Sequence, residues 1–103
     1  MKSGFWAWYD DIQARAPKTI VGKLATSAGF HVAHTGGGCL TWERVFDDGR
    51  YLWICDEGNG LGMKPDDPFV VGFYDAEGNT IDDGTVENFA TALAWCQAKT
   101  GEI

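Results

Sequence analysis

Nowhere in this sequence does an apolar run approach the roughly 18–20 residues that a bilayer-crossing helix needs. Nor does it show the charged and apolar regions of a signal peptide. Both absences point to a cytoplasmic protein with no membrane partner. Cysteine is sparse. Cys39, Cys55 and Cys96 are odd in number and include no Cys-x-x-Cys pair. That argues for buried free thiols in a reducing compartment rather than a disulfide framework. Positive charge is scarce too, with 8 Lys and Arg against 15 Asp and Glu. Residues 1–55 hold six basic against five acidic side chains, and residues 56–103 hold two against ten. Phosphate neutralisation needs a basic patch, so direct nucleic-acid binding is not expected. An acidic surface suits basic proteins instead, including those that grip nucleic acid, unless the acids serve solubility alone. No repeat, low-complexity tract or linker divides the chain, and 103 residues suit one domain, 1–103, with one core.

Aromatics, by contrast, are abundant: five Trp, six Phe and three Tyr. Each buries a large area, and a surplus on a small domain marks an interface. The periodicity divides the chain into helical ends and a strand-rich middle. Phe5, Trp8, Tyr9 and Ile12 repeat at helical spacing within 4–15, and Pro17 ends that helix. A second helix over 18–28 places Ile20, Val21, Leu24 and Ala28 on one face, with Gly29 just past its end. From Phe30 the period changes to two. Strands are expected at 30–34, 39–46, 51–56 and 68–74, with a short fifth around Thr80 and Ile81. The last helix is placed over 86–99, with Thr85 as N-cap and Gly101 at its end. Its apolar stripe is Val86, Phe89, Ala90, Leu93 and Cys96, with Trp95 on the flank. The fold class is α+β: an antiparallel meander of four to five strands, with two short N-terminal helices and one C-terminal helix packed on it.

Asp48-Gly49 reads as the centre of a two-residue type I′ hairpin, which sets Asp47 opposite Arg50. That register places Phe46 opposite Tyr51, Arg44 opposite Trp53 and Trp42 opposite Cys55 on one face. Trp42, Arg44 and Trp53 are then the candidate aromatic docking surface, unless the N-terminal aromatics cover them. The turns at 47–50 and 75–79 lie at one end of an up-and-down sheet. Asp47, Asp48, Asp75, Glu77, Asp82 and Asp83 are expected to form an acidic rim there, with Asp56, Glu57, Asp66 and Asp67 at the other end.

No catalytic, metal or cofactor set emerges. His31 and His34 are three apart, which in a strand puts them on opposite faces and out of reach of one ion. Cys39 begins a strand and lacks the electropositive, helix-terminal setting of a thiolate nucleophile, with His34 as its base. Gly36-Gly37-Gly38 is followed by a strand and by no Gly-Lys-Ser/Thr, so it reads as a turn rather than a phosphate loop. The segments from Asp56 and Asp75 fail the calcium-loop pattern at Gly58, Gly60 and Thr80. The adjacent acid pairs, Asp10-Asp11 to Asp82-Asp83, lack the cleft that paired catalytic carboxylates need.

The run His34-Thr35-Gly36-Gly37-Gly38-Cys39-Leu40-Thr41-Trp42, with Asp48-Gly49-Arg50-Tyr51-Leu52-Trp53-Ile54 and Val71-Gly72-Phe73-Tyr74-Asp75, resembles small accessory proteins of bacteriophages. The likeness spans about residues 29–79, most of the expected sheet, while the helical ends depart from it. It implies expression in the cytoplasm of an infected bacterium and carries no catalytic residues. With the charge distribution, it leads to the expectation of a stoichiometric, non-enzymatic inhibitor of a basic or nucleic-acid-handling host protein. An anti-CRISPR or related anti-defence protein would be of this kind. The alternatives are a homodimeric structural protein that pairs its apolar sheet face, and a small enzyme or ligand-binding domain using His34 and Cys39.

Overall fold

The computed structural model describes residues 4–62 and 64–101, and the side chain of Phe5 lies outside the described set. Helix α1 (Gly4–Arg15) runs into a 3-10 turn at Ala16–Lys18 and then into α2 (Ile20–Ser27). Thr19 caps α2 by accepting a hydrogen bond from the Gly22 amide at 2.9 Å. Five strands follow: β1 (His31–Gly36), β2 (Cys39–Val45), β3 (Tyr51–Asp56), β4 (Phe69–Tyr74) and β5 (Thr80–Val86), closed by α3 (Phe89–Thr100). The strands form one antiparallel sheet in the order β1-β2-β3-β4-β5. The α+β meander expected from the sequence is the observed fold.

Alternation along the strands sorts their side chains into two faces. One carries the row Val32–Trp42–Ile54–Val71, with Leu52 beside Phe73 and Phe69 farther along. Val21 and Ala25 of α2 and Phe89, Ala92 and Cys96 of α3 close over it as one core. Phe69 and Phe89 meet edge to face at 5.0 Å. Trp42 is wholly buried, and its indole N–H donates to the Leu61 carbonyl at 2.9 Å, which ties the 57–68 loop to the same face. All three helices thus serve one side of the sheet, and none of the described elements crosses the other.

Several expectations need correction. In α2 the buried stripe is Val21, Gly22 and Ala25, while Ile20 is 66% and Leu24 42% exposed. The close approach of Gly22 to the Ala16 carbonyl, where a Cβ would lie 1.8 Å from the oxygen, turns the small residues inward. β5 is longer than a short strand around Thr80 and Ile81, and it continues through Val86. Thr85 therefore pairs with Val70, and Asn88 is the N-cap of α3, accepting from the Thr91 amide at 2.8 Å. α3 then buries Phe89, Ala92 and Cys96, leaving Ala90 exposed.

The largest correction is at the β2–β3 turn. Phe46 N–H bonds to the Arg50 carbonyl at 2.8 Å, and Gly49 N–H to the Phe46 carbonyl at 2.9 Å. The loop therefore has three residues, Asp47–Gly49, and only Gly49 takes a positive φ, at 90°. A two-residue I′ turn would demand the same of Asp48, a conformation a side chain resists, whereas the three-residue loop asks it of glycine alone. The register shifts by one: Trp42 pairs with Ile54, Glu43 with Trp53, Arg44 with Leu52 and Val45 with Tyr51. A one-residue shift exchanges the faces. Trp42 and Arg44 therefore point into the covered side and Trp53 points away, so the three form no common surface.

Candidate functional site

The uncovered face is organised around one row across the sheet. His31 lies opposite Glu43, Glu43 opposite Trp53, Trp53 opposite Gly72, and Gly72 opposite Asp83. A second row sets Val45 beside Tyr51 and Tyr51 beside Tyr74. Val45 is 54% exposed, as expected where nothing packs above it. Three rings cluster here. Tyr51 and Tyr74 stack at 5.0 Å and 22°, Trp53 and Tyr74 meet at 5.0 Å, and Tyr51 and Trp53 at 5.4 Å.

Gly72 makes that cluster possible. With no side chain opposite Trp53, the phenol of Tyr74 leans across the gap, and a Cβ at position 72 would sit 2.2 Å from its oxygen. Substituting Gly72→Ala is expected to push Tyr74 off Trp53. The clash is with the free end of a side chain, so the stability cost should be about 1 kcal/mol, the low end for overpacking. Loss of Trp53–Tyr74 proton contacts in NMR spectra, with the melting point lowered by only about 4–8 °C, checks this.

Two carboxylates bracket the rings. Glu43 Oε2 accepts from the Trp53 indole N–H at 2.6 Å, and its Oε1 lies 3.4 Å from His31 Nε2. On the far side, Asp83 bears on the half-buried Tyr74. Burial first, and then the charge of Asp83, push the Tyr74 phenol above its usual range, so it stays neutral. None of these positions holds Lys or Arg. The basic side chains that might reach over are engaged elsewhere. Arg44 donates to the Ala28 carbonyl at the end of α2 and lies over Phe46; Arg50 binds Asp48, and Arg15 binds Asp11.

The six acids of the expected rim divide. The turns at 47–49 and 76–78 do lie together, since a Cβ on Gly49 would come within 2.8 Å of the Ala76 side chain. Asp47, Asp48, Asp75 and Glu77 are therefore neighbours at one end. Asp48 accepts from the amide and the guanidinium of Arg50, at 3.0 and 2.6 Å. Asp75 accepts from the amides of Glu77 and Asn79. Asp82 and Asp83 lie along β5 instead, opposite Phe73 and Gly72 and on opposite faces. Asp82 pairs with Lys99 of α3, and only Asp83 reaches the open face. The sequence reading missed Tyr51, Tyr74, Glu43 and His31 as members of this surface.

Asp48, Asp75 and Asp82 all have carboxyls held below the ordinary 3.8, chiefly by the Arg50 amide, the Asn79 amide and Lys99 respectively. A depressed folded value means that their contribution to stability is present above 3.8 and is lost as pH falls through the lower folded values. Asp75→Ala should therefore melt below the parent at pH 6, and the gap should close as the pH is lowered below about 4. Melting temperatures at pH 2.5 to 6 test it.

The other chemical candidates recede. Leu40, opposite His34, is buried in the core, so the adjacent Cys39 points to the other face and His34 is not placed as its base. His34 instead accepts from the Gly38 amide at 3.2 Å and lies beside the Tyr9 ring. Burial pushes the Cys55 thiol up and the Cys96 thiol up to about 12, which favours inert thiols. Among the described residues no cluster of three His, Cys, Asp or Glu side chains could hold a metal, and no helix is long and apolar enough to cross a membrane. A cavity of about 210 Å3 lies between the α1–α2 junction and the sheet, walled by Ile12, Leu40, Trp42 and Leu61. Its polar neighbours, Arg15 and Asp56, are already bonded to Asp11 and to the Gly58 and Gly60 amides. No protein-family model, curated protein or solved structure matches the chain.

Proposed function

We propose that the chain is a stoichiometric binding protein that docks a basic protein on the open face of its sheet. One observation carries this reading: three clustered rings on an uncovered face, bracketed by Glu43 and Asp83 and free of Lys and Arg. Aromatic side chains supply affinity at low entropic cost, and carboxylates at their margin select a cationic partner. Asp47 and Glu77 at the adjoining end extend the negative field and steer the approach. The resemblance read in the sequence to bacteriophage accessory proteins supports a host protein as the partner, in the cytoplasm of an infected bacterium. A nucleic-acid-handling protein offers the basic surface required. Occupying that surface would inhibit it without catalysis, as an anti-CRISPR or other anti-defence protein does.

The test is capture of partners by the tagged protein in a bacterial host at low and high salt, followed by hydrogen exchange on the complex. A basic partner released by salt, with protection confined to β3, β4 and the Glu43 segment, supports the proposal. A protein that elutes as a dimer protected on the same face, holding nothing else, replaces it with self-association. Protection confined to the helices overturns the choice of face.

A further inference from the structure

We infer that the open face contains an arginine-selective subsite, in which a guanidinium from the docked protein stacks on Trp53 and Tyr74 and turns its donors to Asp83. The inference rests on the docking reading above and deepens it by naming the anchor. Along the central row the order is Glu43, Trp53, Gly72, Asp83, and the Tyr74 phenol fills the place above Gly72. The aromatic surface therefore runs unbroken from Trp53 to the margin of β5, where it ends at a carboxylate. Neighbouring strands are about 4.8 Å apart, so Asp83 stands one strand from the phenol. A planar guanidinium lying on that ring spans such a distance with an N–H donor. An ammonium, compact and strongly hydrated, cannot both stack and reach.

The carboxylates have different tasks. Glu43 holds the Trp53 indole through its N–H and is a positioning residue. Among the described residues Asp83 has no basic partner, whereas its neighbour Asp82 is taken by Lys99. A second copy of the chain is a poor source of the anchor. Arg15, Arg44 and Arg50 are each bound within their own molecule, and two such faces would oppose like charges. Anionic partners are disfavoured by the same two carboxylates.

The experiment is NMR titration of the isotope-labelled protein at low salt with two capped peptides of equal length, alternating Arg-Gly and alternating Lys-Gly. The arginine peptide should bind about tenfold more tightly, a preference between that of an exposed and that of a fully desolvated cation–π contact. It should move the Trp53 indole N–H and the Gly72 and Asp83 amides. Asp83→Asn and Trp53→Leu should each reduce its affinity to that of the lysine peptide, whereas Asp47→Asn at the turn should keep the preference. If Trp53→Leu is unfolded, Asp83→Asn, which touches no core residue, gives the same readout. Equal binding of both peptides on the open face would overturn the arginine subsite while leaving basic docking intact. Shifts confined to the turns at 47–49 and 76–78, or none on the open face, would overturn both.

Discussion

Trp42→Ala is expected to remove about 3–5 kcal/mol of folding stability, the range for truncating a buried Trp. The whole margin of a small domain is only about 5–15 kcal/mol, so the variant should be marginally folded. Trp42 has no exposed surface and sits between Val32 and Ile54 at the centre of the covered row. Its loss would open a cavity and also leave the Leu61 carbonyl without its indole donor. For a domain of this length each kcal/mol lowers the melting point by roughly 4–8 °C, so a fall of at least about 12 °C is expected. Trp53 is the control. It is the same residue type one strand away, but on the open face, and Trp53→Ala should cost less, about 2 kcal/mol, from the hydrogen bond to Glu43 and the ring contacts with Tyr51 and Tyr74. Thermal or urea melts of the two variants decide the matter. Comparable losses would mean that the two faces have been assigned the wrong way round.

That contrast marks where the sequence was legible and where it was not. Period-two patterning located the first four strands to within two residues but only the start of the fifth, and Gly29, Gly101 and Pro17 ended their helices where breaker residues should. The face of the sheet depended on one turn. Asp-Gly is compatible with a two-residue loop and with a three-residue loop, and the two differ by one position in register. The signal that resolves them lies in the strands. Only the three-residue loop gathers Leu52, Ile54, Val71 and Phe73 with Trp42 on one side. It leaves Tyr51, Trp53 and Tyr74, whose polar tips tolerate water, on the other. In α2, likewise, the larger apolar side chains suggested the wrong stripe, because a close backbone approach at Gly22 favours small residues inside. The division of the rim acids was illegible for a different reason. The length of β5, and hence the placing of Asp82 and Asp83, follows from pairing with β4 rather than from the local pattern of β5 itself.

The charge-reversal pair Glu43→Lys with Asp83→Lys is expected to lower affinity for the basic partner at least 100-fold, about 2.7 kcal/mol. Two attractions become repulsions at the edge of the anchoring rings, where docking excludes water and screening is weak. The reversal also removes the acceptor that holds the Trp53 indole, so a fall in affinity alone would mix electrostatics with ring position. Glu43→Gln with Asp83→Asn separates them, because Gln still offers an oxygen to the indole N–H while the charge is gone. That neutral pair should bind more weakly than the parent, with dissociation quickened more than association slowed, because the Asp83 contact is desolvated in the complex. Neither pair should disturb the core, because Glu43 and Asp83 both lie on the face the helices leave bare. Reversal of Asp47 and Glu77 at the turns acts at longer range, so it should slow association several-fold and leave dissociation unchanged. If the turn reversal proves the more damaging of the two, the acidic end is itself the docking surface, and the rings on the open face are not the anchor.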